Sequence, residues 1–165
     1  MIFETERLIV RKLKLTDLGW FHKMQSNPKV MQYVTGDVKS LKEHELELND
    51  LISKYDELKN DFWIYAIELK FSKQFVGTIA LVKDELDDEI GYRFLEEFWG
   101  NGYGFEVCYG LIDYCKSMGY KKLIAYFVDR NIASKRILEK LNFQFVSKKM
   151  LEKEQLLEMK YELNL

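Results

Sequence analysis

The sequence predicts a mixed α/β (α+β) domain: a largely antiparallel central sheet of about six to seven strands, flanked by helices on both faces. Three observations carry this expectation. Apolar residues recur at a helical period in some segments and alternate in others. Three runs rich in aromatic and β-branched residues follow one another between residues 62 and 95, joined by turns too short for crossovers. A glycine-rich junction, FWGNGYGFEV, then leads from the last of these runs directly into a helical pattern. With 165 residues, 47% hydrophobic and 15% aromatic, the chain can bury one core, and residues 1–165 read as a single domain.

Each element follows from its residues. Arg7 to Leu15 alternates Leu8, Val10, Leu13 and Leu15 against charged positions, as an amphipathic strand does. Thr16 and Asp17 are N-cap types before a short helix with Trp20, Phe21 and Met24. Asn27-Pro28 breaks it, and Val30, Met31, Tyr33 and Val34 suggest a second short helix or turn before Thr35-Gly36-Asp37. From Ser40 to about Lys59, leucines recur among acids and lysines at the period of a surface helix. Phe62–Lys70, Phe75–Lys83 and Glu89–Leu95 form the antiparallel meander. A helix runs from Gly102 to Met118 and stops at Gly119, a natural C′ residue. Lys122–Val128 reads as a buried strand, Asn131–Leu141 as a helix, and Phe143–Lys149 with Leu156–Leu163 as a closing strand pair.

Charge narrows the function. With 25 basic and 27 acidic residues the net charge is −2, so no global field draws nucleic acid or a membrane surface, and neither is an expected partner. An anionic ligand has to be held by a local site. Cys108 and Cys115 lie two turns apart on one helix face, about 10 Å from each other, which forbids an intrahelical disulfide and suggests reduced core residues, or at most one exposed thiol. The N-terminal residues carry no basic run ahead of their apolar ones, and no stretch reaches the roughly 18 apolar residues of a membrane span. The expectation is a cytoplasmic protein, a monomer or a homodimer.

The glycine stretch admits few readings. A dinucleotide fingerprint needs G-x-G-x-x-G, whereas the glycines here are Gly100, Gly102 and Gly104; a Walker loop needs a following Gly-Lys-Ser/Thr, which is absent. One remaining reading is a tight turn with glycines at positive φ. The other is an anion site, in which strand, glycines and helix N-terminus present successive N–H groups and the positive end of the helix dipole to a phosphate.

Set in context, EIGYRFLEEFWGNGYGFEV resembles the acyl-CoA motif of the GNAT superfamily of acetyl-CoA-dependent N-acetyltransferases, whose loop runs Gln/Arg-x-x-Gly-x-Gly/Ala. The opening TERLIVRKLKLTDLGWFHKMQSNPKVMQYV and the late NIASKRILEKLNF are similar to the subgroup that includes ribosomal-protein N-terminal acetyltransferases. The resemblance implies the GNAT fold and acetyl-CoA as acetyl donor, with no metal. It implies that the main chain at Tyr92, Arg93 and Phe94 pairs with the pantetheine arm, that Trp99, Gly100, Asn101, Gly102, Tyr103 and Gly104 wrap the pyrophosphate, and that Asn131 touches the cofactor arm. Trp99 stands where Gln or Arg is common. Asn131 reads equally well as a helix N-cap.

Acetylating an amine requires a neutral amine, a polarised thioester carbonyl and a proton for the thiolate. A peptide N-terminal ammonium has a pKa of about 8 and a lysine one of about 10, so a base or a water relay must take a proton. Glu89 is the candidate base; its alternative is a solvated strand-end carboxylate beside Asp87 and Asp88. Many members of the family use a helix tyrosine in the setting Tyr-Glu-Lys-Leu-Gly-Phe, whereas this chain has Leu138-Glu139-Lys140-Leu141-Asn142-Phe143. Ser134, three residues after Asn131 and on the same helix face, is the replacement candidate; the ribosomal-type subgroup carries a serine there, and the resemblance implies a proton donor or hydrogen-bond partner to sulfur, the alternative being a hydroxyl that satisfies helix N–H groups. A backbone N–H near Phe94 would polarise the carbonyl. Lys135, Arg136 and Lys140 are candidates for the 3′-phosphate or simply a solvated face, and Trp20, Phe21, Tyr33 and Trp63 are candidates for the acceptor pocket or core. His22 and His44 read as surface residues. The expected activity is direct transfer of acetyl to a primary amine, a small molecule or a protein N-terminus; the alternative is a catalytically silent CoA-binding or interaction module.

Overall fold

The structure, a computed structural model, describes residues 1–33, 38–152 and 155–165. Among these residues the chain forms eight strands and five α-helices: β1 (Phe3–Glu4), β2 (Leu8–Lys12), α1 (Leu18–Gln25), α2 (Pro28–Met31), α3 (Leu41–Ser53), β3 (Phe62–Leu69), β4 (Phe75–Asp84), β5 (Asp87–Phe94), α4 (Tyr103–Ser117), β6 (Lys122–Val128), α5 (Ile132–Lys140), β7 (Gln144–Leu151) and β8 (Leu156–Asn164). The strands make one sheet in the order β1-β2-β3-β4-β5-β6-β8-β7. Every neighbouring pair is antiparallel except β5 and β6, which are parallel and joined by α4 as the crossover.

The strand count exceeds the expected six to seven because β1 pairs through only two residues, Phe3 with Val10 and Glu4 with Ile9, too few to show an alternating pattern. Asp17 precedes α1 as expected but its side chain makes no cap bond there. It accepts instead from Arg11 Nη1 and Nη2 at 2.8 and 2.9 Å and from the Lys14 N–H at 2.8 Å, because a buried guanidinium needs a carboxylate more than a helix end does. The helix expected from Ser40 to Lys59 ends as α3 at Ser53 and tightens into a 3₁₀ turn. Its start is a capping box: Ser40 Oγ accepts from the Glu43 N–H, and Glu43 accepts from the Ser40 N–H at 2.7 Å. The expected apolar turn at Val34 and the Thr35-Gly36-Asp37 stretch lie outside the described residues.

Helices α1 and α3 cover one face of the sheet and α4 and α5 the other. Along β5 the two faces part: Arg93 reaches α1, while Tyr92 reaches α4 and α5. Gly119 at φ +86° and Asn142 at φ +67° follow α4 and α5 in the left-handed conformation that ends a helix. Cys108 and Cys115 are buried free thiols whose pKa burial pushes up to about 12, so they pack as small apolar groups. His44 departs from expectation. It is 2% exposed, and its Nδ1 lies 2.8 Å from Nδ1 of His22 across the α1–α3 contact. Among the described residues no helix is long and apolar enough to cross a membrane.

Candidate active site

The single parallel join in the sheet is short. β5 and β6 pair at Glu89 and Ile124. Beyond that pair a cavity of about 480 Å³ opens between the strands, lined by residues 89–93 of β5 and 125–128 of β6 and continuing to Asn131 and Ser134 of the α5 start. On its other side it is walled by Phe21, Tyr33, Glu47 and Phe62. The cavity therefore passes through the sheet at a seam.

Register fixes what the β5 edge offers this seam. The Leu95 N–H donates to the Val76 carbonyl at 2.9 Å, and the Arg93 carbonyl points at β4 so closely that a Cβ on Gly77 would collide with it. Arg93 thus spends its own backbone groups on β4, opposite Thr78. Alternation turns the N–H and C=O of Tyr92 and Phe94 the other way, towards β6. Trp99 Nε1 donates to the Phe94 carbonyl at 3.0 Å, which leaves the Phe94 N–H as the donor directed into the seam at that level.

The seam leads to the start of α4. Gly100 and Gly102 adopt φ +77° and +80°, a conformation that side chains with Cβ avoid, and Asn101 Nδ2 ties the loop to the carbonyls of Phe98 and Trp99 at 3.0 and 3.2 Å. Glu106 N–H to Gly102 O, at 3.2 Å, is the first helical bond, so the amides of Tyr103, Gly104 and Phe105 lie ahead of it. A Cβ on Gly100 would meet nothing within 4 Å, and one on Gly102 only Arg7 Nη2 at 3.6 Å. Gly104 differs, since its Cβ would press on Ile137 Cδ1 at 3.0 Å and Tyr92 Cε2 at 3.3 Å. Glu106 accepts from Thr5 Oγ1 at 2.6 Å, from the Arg7 N–H at 2.8 Å and from Arg7 Nε at 2.7 Å, which fastens the helix start to the β1–β2 turn. Bare backbone, unspent amides and a helix N-terminus fit a pyrophosphate.

Ionisable and hydroxyl groups gather where the strands part. Glu89 has its pKa pushed up to about 7, first by burial and then by the carboxylates of Asp84 and Glu158, against the opposing Lys160. On the α4–α5 face, Tyr92 Oη and Ser134 Oγ lie 3.3 Å apart. Burial raises the Tyr92 pKa, so the phenol stays protonated. Asn131 Oδ1 accepts from the Ser134 N–H at 3.1 Å and caps α5. On the α1–α3 face, Arg93 Nη1 donates to Gln25 Oε1 at 2.6 Å.

Residues 7–144 match the family model described as Acetyltransferase (GNAT) domain. The chain belongs to the GNAT acetyltransferases. Among its relatives, the uncharacterized N-acetyltransferase YoaA of Bacillus subtilis (strain 168) is 30% identical over 148 residues, covering 87% of this chain and 82% of that protein. The uncharacterized N-acetyltransferase p20 of Bacillus licheniformis is 28% identical, covering 85% and 80%. Among solved structures, a GNAT-family acetyltransferase from Bacillus anthracis superposes with a TM-score of 0.86 at 22% identity, covering 98% of this chain and 97% of that one. RimL, the ribosomal L7/L12 alpha-N-protein acetyltransferase in complex with coenzyme A, superposes at 0.83 with 16% identity, covering 98% and 96%. These structures share the GNAT fold.

Within this GNAT site the residues singled out from sequence separate. Glu89, Tyr92, Arg93, Asn131 and Ser134 line one cavity, and Trp99 to Gly104 form the loop at the α4 start. Of the three β5 residues, Tyr92 and Phe94 turn backbone groups to the seam, whereas Arg93 offers its side chain on the α1–α3 side. Phe21 and Tyr33 wall the cavity, but Trp63 is on the opposite side of β3 from Phe62 and stacks on Tyr55 and Tyr65, and Trp20 is a surface ring under Lys23 Nζ. Strand alternation explains Trp63: Phe62 and Ile64 take the wall instead. Sequence reasoning missed the Tyr92 hydroxyl, Gln25 and Glu47. Their positions depend on contacts between elements, which no local pattern reports.

Proposed function

We propose that this protein is an acetyl-CoA-dependent N-acetyltransferase that transfers acetyl directly to a primary amine, with donor and acceptor bound together on opposite faces of the β5–β6 seam. The observation that carries the reading is the seam itself, with backbone amides of β5 along one edge and the glycine loop at its end. Bound acetyl-CoA supplies an activated acetyl thioester. Tyr103, Gly104 and Phe105 hold the pyrophosphate through their amides, and the β5 edge at Tyr92 and Phe94 positions the arm as an added strand. Asn131 stands at the cavity wall beside it. The Phe94 N–H donates to the carbonyl oxygen as negative charge grows there. Glu89 takes a proton from the acceptor ammonium, directly or through water, and its pKa of about 7 leaves it competent near neutrality. As the C–S bond breaks, Ser134 Oγ passes a proton to the departing sulfur and recovers one as the nitrogen sheds its second proton to become the amide, with Tyr92 Oη orienting the hydroxyl at 3.3 Å.

Calorimetric titration of acetyl-CoA, followed by assay of CoA release against peptides and small amines, tests the reading. Gly102→Val is expected to weaken acetyl-CoA binding at least about a hundredfold, because it strains a positive-φ position and fills the loop. Activity is expected to rise with pH through about 7 as Glu89 deprotonates, and Glu89→Gln to lose that limb and lower kcat by about 10²–10³. Absence of acetyl-CoA binding would sink the reading; tight binding without turnover on any amine assigns the silent module instead.

A further inference from the structure

The α1–α3 half of the cavity contains a cation, Arg93, that the proposed chemistry does not use and that the fold engages through one side-chain hydrogen bond among the described residues. By strand alternation the side chains of Glu89 and Arg93 leave β5 on the same face, with Gly91 between them; both line the cavity, and Arg93 reaches α1. Between the carboxylate and the guanidinium the floor is nearly flat: a Cβ on Gly91 would meet only the Ala80 Cβ, at 3.9 Å. Arg93 is held from one side. Its Nη1 donates to Gln25 Oε1 at 2.6 Å; Gln25 is turned by its own Nε2, which donates to Glu47 Oε1 at 3.3 Å, and Glu47 Oε2 accepts from Lys39 Nζ at 2.7 Å. This chain aims a neutral amide oxygen, not a carboxylate, at the guanidinium. Among the described residues no carboxylate oxygen lies within 4.0 Å of it, and its other nitrogens are not sealed from the cavity. Elsewhere buried charge is handled differently: Arg11, in the same sheet, is matched by both Asp17 and Glu68.

We propose that Arg93 is the specificity residue of the acceptor site and that it binds a carboxylate or carbonyl oxygen carried a few bonds from the reacting nitrogen, so that the acceptors are α-amino acids or peptide N-termini. The inference rests on the acetyltransferase reading and deepens it. A guanidinium offers five N–H donors in a planar fork that matches such oxygens, and only one nitrogen is spent on Gln25. Arg93 directly precedes Phe94, whose N–H marks the reacting carbonyl, so the oxygen it holds belongs close to the nucleophile. The other charges suit the same molecule: Glu47, Glu89 and Glu158 line the cavity and favour an ammonium, and Arg93 disfavours a second cation. A zwitterion or an α-aminoacyl group satisfies both ends. A polyamine satisfies one and meets repulsion at the other.

The test is a matched set of acceptors with the full chain and saturating acetyl-CoA: alanine, alaninamide and an alanyl tripeptide against n-propylamine and putrescine. Wild type is expected to show kcat/KM at least tenfold higher for the oxygen-bearing amines, since a site built to hydrogen-bond a group rejects analogues lacking it. Arg93→Met should lower that ratio at least tenfold, mainly through KM for the acceptor, while Arg93→Lys, which keeps the charge, should retain part of it. Saturation-transfer NMR with CoA present reads the same ranking from binding alone, and the ranking among the three alanyl compounds separates free amino acid from peptide. Equal or better use of the oxygen-free amines, a ratio unmoved by Arg93→Met, or no binding of any alanyl compound overturns the proposal. So does a large loss of acetyl-CoA affinity in folded Arg93→Met, which would assign the side chain to the donor. Failure of wild type to bind acetyl-CoA overturns instead the acetyltransferase reading on which this rests.

Discussion

The three glycines of FWGNGYGFEV do two different jobs. Gly100 and Gly102 supply a left-handed backbone with open space above it, whereas Gly104 lets α4 approach Tyr92 and Ile137. Sequence alone showed bare backbone at a helix start but not this division, because close approach is a property of the neighbours. The same holds for Tyr92. The helix tyrosine that many GNAT enzymes carry is absent from α5, and a phenol from β5 arrives at Ser134 instead. If this hydroxyl pair delivers the proton to sulfur, Ser134→Ala should lower kcat about 10–100-fold with little change in acetyl-CoA affinity, and Tyr92→Phe should have a smaller effect of about threefold to tenfold. Steady-state kinetics beside calorimetry separates the two parameters. Full kcat in Ser134→Ala would reduce the pair to a packing contact.

Among the elements, α1 and α3 carry the least expected contact. Leu41, His44, Leu48 and Leu51 share one stripe of α3, and all but Leu41 are buried. A reading by apolarity follows the leucines and overlooks the histidine in register with them. Burial lowers the His44 pKa, His22 and Lys39 add to that, and Glu47 and Glu43 oppose it. A lowered histidine pKa in the fold means that the unfolded chain binds the proton more readily. The stability contributed by neutral His44 is therefore complete above the ordinary pKa of 6.5 and is lost as pH falls below it. Melting temperature should drop on acidification through this window, and His44→Gln should flatten the dependence. An unchanged slope in that variant would remove His44 as its source.

For the molecule as a whole, element types and most boundaries were legible in the sequence, and β6 matches its expected residues. The period of apolar residues within each segment encodes them. Strand order was less accessible: β8 sits between β6 and β7, an arrangement set by long-range pairing and not by neighbouring residues. The seam was equally hidden, because it is a place where pairing stops. If residues 1–165 form one cooperative unit, heating should give a single transition, and acetyl-CoA at about a hundredfold excess over Kd should stabilise it by about 2.7 kcal/mol, several degrees in Tm. Two separate transitions, or no shift, would contradict this at once. The seam also divides the proposed site between two parts of the sheet. Glu89, Tyr92 and Arg93 belong to the first half of the sheet and Asn131 and Ser134 to the second, with one ladder rung at Glu89 and Ile124 between them. The hydroxyl contact between Tyr92 and Ser134 is thus a strut across two modules. That contact is made by β5 and α5 alone, so α1 and α3, which wall the other side of the cavity, take no part in it.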